Sequence, residues 1–281
     1  MPDGLTTLSQ RPLRGAVRAS LNYLKPIAGK PHTYNYDPPA GVSRQNFENE
    51  AHSVLIEDIR GREATFALDG HGFAAIHHRS RETDFIDDDK IKAVYYPESE
   101  ALLRDRLNAY RVFIFDHTIR RRDPAGADRE GARQPVARVH IDQTPRSGRD
   151  RVFRHLPDEA ESLVKGRVRV INLWRPIRGP VIDHPLAMAD GSSLKPTDLV
   201  ATDLLYRDRK GETYSVTFDQ GQRWYYWSEM QPDEALLLKC YDSAESGVTR
   251  FSPHTAFADP RAEAAAPPRQ SIELRALVFG G

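Results

Sequence analysis

The chain has 281 residues and a mass of 31.8 kDa, with 39% hydrophobic and 28% charged side chains and 40 basic residues set against 40 acidic ones. That is enough apolar material for a substantial core, which argues against disorder or a fibrous repeat, and a zero formal net charge lacks the basic footprint of a nucleic-acid binder. The single cysteine, Cys240, excludes an internal disulfide framework and any multi-cysteine metal centre, the usage of a protein from a reducing cytoplasm.

No apolar run approaches the roughly 18 residues of a membrane span, and MPDGLTTLSQRPLRG lacks the apolar core of a signal peptide. A soluble cytoplasmic protein without a membrane partner is expected. Arginine outnumbers lysine 32 to 8, a bias that lowers the weight of any one arginine cluster.

The first part of the chain reads as short elements. YNYDPPAGV, near residues 34–42, is extended and aromatic, and SVLIEDIRG and ATFALDGHGF read as two strands joined across Arg60 and Gly61. In ESEALLRDRLNAY, Leu102, Leu103, Leu107 and Tyr110 recur at helical spacing and predict the chain's clearest helix. From Arg111 the pattern changes to β-like runs divided by turn signals: RVFIFDH, VARVHID, GRVRVINLWRP, TDLVATDLLY, ETYSVTF, RWYYW, EALLLKCY, TRFSPHTAF and SIELRALVF. Between them PDEAESLVKG predicts one short helix, with Asp158 and Glu159 favouring its start and Gly166 its end. Tyr214, Val216 and Phe218 alternate with Ser215 and Thr217 at the period of a strand, and DQG at 219–221 predicts a hairpin into RWYYW.

So many short strands predict a mainly β fold, a jelly-roll barrel that hides its edges. We expect one domain over residues 1–281, an N-terminal α+β elaboration over 1–110 followed by the barrel over 111–281. Two arginine-rich segments, IRRRDPAGADREGARQP and TPRSGRDRVFRHLP, read as solvated loops, the first as a mobile lid or a disordered excursion.

The chemistry centres on VHIDQT. His140 and Asp142 are two apart on a predicted strand and project to one face, while Val139 and Ile141 point into apolar packing. One His-x-Asp triplet is about what chance provides among 10 His and 24 Asp, so the pair needs support. His254, 114 residues later on another predicted strand, is the best third ligand. Two imidazoles and one carboxylate leave open positions on an ion, the arrangement associated with non-haem Fe(II) oxygenases.

Support comes from the last strand, where Ile272, Leu274, Ala276 and Val278 form an apolar face and Ser271, Glu273 and Arg275 the opposite one, toward the cavity. A guanidinium inside a barrel is costly unless it meets an anion. A dicarboxylate would meet Arg269, with Ser271 adding a hydroxyl, whereas a structural Arg275–Glu273 pair is the bland reading. Asn172, Trp174, Trp224 and Tyr226 are candidates for the substrate pocket against ordinary core packing. His117 reads as a hydrogen-bonded structural histidine and Cys240 as an inert buried thiol.

The order His-x-Asp, distal His, Arg-x-Ser resembles the Fe(II)/2-oxoglutarate-dependent oxygenases. More specifically, SLNYLKP, YNYDPPAGV, IEDIRG, YYPESEALL, VFIFDHTIRR, VHIDQT, INLWRPI, GETYSV, RWYYWSEM, LLLKCYDS, SPHTAF and PPRQSIELRALVF resemble the cephamycin hydroxylase components, gibberellin desaturase-like proteins and fungal meroterpenoid oxygenases, nearly end to end. The resemblance implies a double-stranded β-helix (jelly-roll, cupin-like) core, His140, Asp142 and His254 as iron ligands, and Arg269 as the anchor for 2-oxoglutarate, with Arg275 a second candidate or a partner. It implies an enzyme that uses O2 and 2-oxoglutarate to hydroxylate or desaturate a small secondary metabolite or its precursor, releasing succinate and CO2. Two other readings stay open: a cupin-like metalloenzyme that does not use 2-oxoglutarate, and a non-catalytic partner subunit of a biosynthetic oxygenase. A homo-oligomer or a paired subunit is equally compatible with the sequence.

Overall fold

The computed structural model describes residues 14–124 and 133–281, so residues 125–132 of the expected lid loop fall outside them, while its first residues, Ile119–Arg121, belong to a strand. Fourteen strands form two sheets. In chain order they are β1 (Val17–Leu24), β2 (His32–Tyr34), β3 (Asn49–Asp58), β4 (Phe73–His77), β5 (Arg111–Arg121), β6 (His140–Ile141), β7 (Val168–Pro176), β8 (Leu186–Ala189), β9 (Leu199–Leu205), β10 (Lys210–Val216), β11 (Trp224–Tyr226), β12 (Glu234–Asp242), β13 (His254–Ala256) and β14 (Gln270–Phe279). The large sheet runs β1-β3-β11-β8-β13-β6-β10-β9-β2 and the small one β4-β12-β7-β14-β5. From β6 onward the chain crosses repeatedly between the sheets, as a jelly-roll requires.

β14 shows why this sequence folds this way. Ile272, Leu274, Ala276 and Val278 turn outward and pack with Ile171 and Leu173 of β7 against Ile91, Tyr95 and Leu103 of the helical segment that ends in the helix Tyr96–Arg106. Each buried Ile or Leu side chain stabilises by about 1.5–3 kcal/mol, so this face fixes the strand's register. The opposite face looks into the barrel and changes character along its length. Leu277 and Phe279 join Val168 and Val170 in an apolar plug, and Trp174, Met188, Leu236 and Leu238 form another. Between them the register pairs Arg275 with Asn172 and Glu273 with Trp174. The barrel therefore holds a polar layer between two dry ones.

Several expectations need correction. DQG does make a turn, with Gly221 N donating to Asp219 Oδ1 at 2.8 Å, but no hairpin follows. β10 pairs with β9 and β6, β11 pairs with β8 and β3, and β8, β13 and β6 separate the two. Residues 64–69 are not a strand: they run through a single helical turn at Glu63–Thr65 toward Leu68–His71, and β4 begins only at Phe73. The segment TPRSGRDRVFRHLP, expected as a loop, carries the helix Pro145–His155. Thr144 caps it in a reciprocal box with Ser147, and Pro145 occupies the first turn. Gly148 lets the helix press on Tyr241, since a Cβ there would meet the ring at 2.5 Å. β8 was absent from the sequence reading because LAMA is too short to show a period.

Candidate active site

β6 and β13 are neighbours in the large sheet, and their register places His140 directly opposite His254. The imidazole centroids are 4.6 Å apart with the planes at 56°. Each ring donates from Nδ1 to the carbonyl two residues before it, His140 to Arg138 at 2.8 Å and His254 to Ser252 at 3.1 Å. A carbonyl only accepts, so Nδ1 carries the proton in both rings and Nε2 presents a lone pair. Burial, reinforced by the neighbouring His140, lowers the pKa of His254 and keeps it neutral. Asp142 brings Oδ1 to 3.4 Å from His140 Nε2. One ligand atom from each of His140, Asp142 and His254 lies within 4.8 Å of the others.

The second oxygen of Asp142 is tied back into the wall. Oδ2 accepts from Arg275 Nε at 2.8 Å and from Asn172 Nδ2 at 2.9 Å. Arg275 commits its other nitrogens to Glu273 at 3.1 Å, Asp116 at 3.1 Å and Thr118 at 3.0 Å, and Asn172 Nδ2 also reaches Glu273 Oε1 at 2.7 Å. Burial works to raise the pKa of Asp142, but the Arg275 charge together with the neighbouring His140 and His254 outweighs it and holds the carboxyl well below the usual range. Asp142 is thus an ionised carboxylate with one oxygen anchored and the other free to face an ion.

Of the readings open for Arg275, the geometry favours the structural pair with Glu273 over a second anchor, since its guanidinium is matched by carboxylates of its own chain. Arg269 differs. It is buried over the Trp174 ring, 5.3 Å from guanidinium carbon to centroid, and donates one side-chain hydrogen bond, from NH1 to the His184 carbonyl at 2.9 Å. Its Nε and the Ser271 hydroxyl have no partner among the described residues. Burial, aided by the like charge of Arg120, pushes its pKa down to about 9. A desolvated guanidinium without a carboxylate partner is built to receive an anion.

Of the four candidate pocket residues, Asn172 holds Asp142 and Trp174 underlies Arg269. Trp224 and Tyr226 are corrections. They pair with Ala189 and Ala187 and pack with Val17, Leu21, Tyr23 and Val139 on the side of the large sheet away from His140. The intervening Tyr225 and the following Trp227 take the inward side with Met188. Period two identifies a face but not which face is inside. His117 is hydrogen-bonded to the Tyr96 hydroxyl at 2.9 Å, and Cys240 is buried with its pKa raised well above the ordinary thiol value by that burial. The sequence reading left Asp116, Thr118 and Arg120 unassigned, although their spacing of two on β5 was the available signal.

Residues 21–279 match a sequence family described as an oxidoreductase/YMDC permease-like domain. No helix among the described residues is long and apolar enough to cross a membrane. An Fe(II)/2-oxoglutarate-dependent dioxygenase, nvfI of Aspergillus novofumigatus, is 32% identical over 92% of this chain and 95% of its own length. The hydroxylase/desaturase efuI of Hormonema carpetanum is 32% identical over 94% of this chain and 95% of its own. The aspirochlorine biosynthesis protein N of Aspergillus oryzae is 44% identical over 53% of this chain and 67% of its own. Among solved structures, the iron and alpha-ketoglutarate-dependent endoperoxidase NvfI superposes with a TM-score of 0.86 at 29% identity, covering 95% of this chain and 99% of that one. Fold and site thus define a jelly-roll protein in which two histidines and one carboxylate form a face that could hold a metal ion. The chain belongs to the family of Fe(II)/2-oxoglutarate-dependent dioxygenases that includes these hydroxylase/desaturases of secondary metabolism.

The residues fit the groups that the family uses. Neutral Nε2 atoms and a carboxylate oxygen are a donor set for Fe(II), with no thiolate to favour a softer metal. The unpartnered Arg269 Nε and Ser271 Oγ suit a carboxylate at the other end of the same layer.

Proposed function

We propose that His140 and His254, through Nε2, and Asp142, through Oδ1, hold Fe(II), and that Arg269 with Ser271 receives the distal carboxylate of 2-oxoglutarate. The observation that carries this reading is the contrast within one layer. Arg275 has all its acceptors inside the chain, while Arg269 and Ser271 keep buried donors without them.

Fe(II) and 2-oxoglutarate together supply the oxidising chemistry, in which O2 and the co-substrate are consumed, succinate and CO2 are released, and a C–H bond of the substrate is oxidised. The protein's part is positional and electrostatic. The Arg138 and Ser252 carbonyls fix both histidine tautomers, Arg275 and Asn172 keep Asp142 ionised and turned one way, and the two apolar plugs exclude water. We read the substrate as a small secondary metabolite or its precursor, as the named relatives support. Hydroxylation or desaturation then follows from where the substrate's C–H bond sits, a difference on the order of an ångström.

In this reading residues 1–110 elaborate a single domain, since β1 and β3 extend the large sheet, β4 extends the small one and the Tyr96–Arg106 helix covers its outer face. Cytoplasmic residence is proposed on the strength of the lone buried thiol. The testing experiment is succinate release from 2-oxoglutarate by protein reconstituted with Fe(II). Wild type turns over, His140→Ala, Asp142→Ala and His254→Ala do not, and full turnover with full iron binding by any of the three contradicts its assignment.

A further inference from the structure

Arg120 lies outside everything assigned so far. Along β5, Asp116 and Thr118 point inward, where both accept hydrogen bonds from Arg275, and the period of two puts Arg120 on the same side. Across the β5–β14 ladder Arg120 stands directly opposite Ser271. Residue 273 of that strand and residue 269, just before it, are its diagonal neighbours, within reach of a long side chain. The guanidinium is mostly shielded from solvent but makes a single side-chain hydrogen bond, from NH1 to the Gln134 carbonyl at 2.9 Å. Among the described residues it forms no ion pair, although Glu273 and Asp142 act on it from a distance and burial lowers its pKa.

Two guanidinium groups in one buried polar layer repel each other, and Arg120 is the main charge that opposes protonation of Arg269. Removing a counter-ion from a buried charge is costly, and placing two such cations side by side raises that cost. Asp183 and Glu273 act on the Arg269 guanidinium from a distance without pairing to it, so an anion between the two guanidinium groups would favour the arrangement. A carboxylate has two oxygens and about four acceptor sites, enough for Arg269, Ser271 and a third donor. Arg275 does not compete for it, because its own carboxylates saturate it.

We propose that Arg120 is a second anchor for the co-substrate, closing with Arg269 and Ser271 a three-sided cradle around the distal carboxylate of 2-oxoglutarate. This rests on the assignment of Arg269 above. The cradle selects a 2-oxo dicarboxylate over a 2-oxo monocarboxylate, since only the former brings the charge that both guanidinium groups require. Arg120 is thus a specificity-determining residue for the co-substrate.

The test is anaerobic calorimetric titration of the Fe(II)-loaded protein with 2-oxoglutarate and, separately, with 2-oxobutyrate, which keeps the chelating head and lacks the distal carboxylate. Losing a charged hydrogen bond costs about 10- to 100-fold in affinity, so Arg120→Gln should weaken 2-oxoglutarate binding by that factor and leave 2-oxobutyrate binding and Fe(II) affinity unchanged. Arg120→Lys, which keeps the charge without the fork, should fall between, and it carries the test if the Gln variant does not fold. Unchanged 2-oxoglutarate affinity in Arg120→Gln, with Arg269→Gln impaired, overturns the proposal and leaves the Arg269 assignment standing. Unchanged affinity in both variants removes that assignment as well. Equal weakening of both ligands places Arg120 at the metal end and also overturns the proposal.

Discussion

Two ionic clusters touch neighbouring parts of the small sheet, and they are built to opposite ends. In the first, Lys239, with no solvent exposure, is paired to Asp242 at 2.7 Å and to Asp69 at 2.5 Å. Arg167 bridges the same two carboxylates at 2.7 Å each. Every charge meets its opposite, and the cluster ties the Leu68–His71 turn to β12. In the second, around Asp142, the charges on the wall side are paired through Arg275, Glu273 and Asn172 Nδ2, and the cavity side is open. There the two Nε2 atoms and Asp142 Oδ1 face one another across the space an ion would fill, and Arg269 Nε and Ser271 Oγ have no partner among the described residues. A closed cluster stabilises the fold, whereas an open one stores binding energy for ligands.

That contrast is breakable. The largest effect belongs to the open cluster: His254→Ala should abolish Fe(II) binding and succinate release while the thermal unfolding midpoint of the metal-free protein stays near wild type. A large fall in that midpoint would make His254 a structural residue. The closed cluster should respond in stability instead. Asp242→Asn leaves Lys239 and Arg167 short of a buried counter-charge and should cost about 3–5 kcal/mol in denaturant unfolding.

The same carboxylate sets an acid dependence. Burial alone would raise the Asp242 pKa, but hydrogen bonds from Arg167 and Lys239 hold it below the ordinary value. Its contribution is therefore full above the unfolded value of about 3.9 and is lost as pH falls through the lower folded one. Wild type should lose stability in that acid window, and Asp242→Asn should lack this component. An identical acid limb in both would show that Asp242 is not its source.

Smaller effects sharpen the wall of the open cluster. Glu273→Gln removes the negative charge that holds Arg275 NH2 and leaves one oxygen where Arg275 and Asn172 now use two, so the hold on Asp142 should loosen and Fe(II) affinity should drop about 10- to 100-fold by metal titration, as for outer-shell partners generally. Unaltered affinity would mean that Glu273 only balances charge. Trp224→Phe, on the far side of the large sheet, should cost about 1–2 kcal/mol in stability with kcat and KM unchanged. A shift in KM for substrate would put Trp224 back in the pocket.

These residues also show what the sequence made legible. The shared face of His140 and Asp142 and the inward Ser271, Glu273 and Arg275 are legible because an alternating strand with one apolar face leaves its other face unambiguous. The aromatic run at 223–227 is apolar on both faces, one packed on β1 and β3 and the other inside the barrel, so periodicity alone misassigned Trp224 and Tyr226. The division of labour between Arg269 and Arg275 was illegible for a different reason. Both point inward, and only three-dimensional pairing shows that Asp116, from a strand more than 150 residues earlier, helps to saturate one of them. The helix Pro145–His155 was hidden by its arginines, because its buried contacts rest on Ser147, Gly148 and Val152 rather than on an apolar stripe.

The measurement that bears most directly on the open cluster is an anaerobic titration of the Fe(II)-loaded protein with 2-oxoglutarate, followed by the visible charge-transfer band of the chelate. Wild type should develop the band and saturate, Arg269→Gln should need far more 2-oxoglutarate to reach it, and His254→Ala should not form it. A band of wild-type intensity and midpoint in both variants would contradict the assignment of this layer as the iron and co-substrate site.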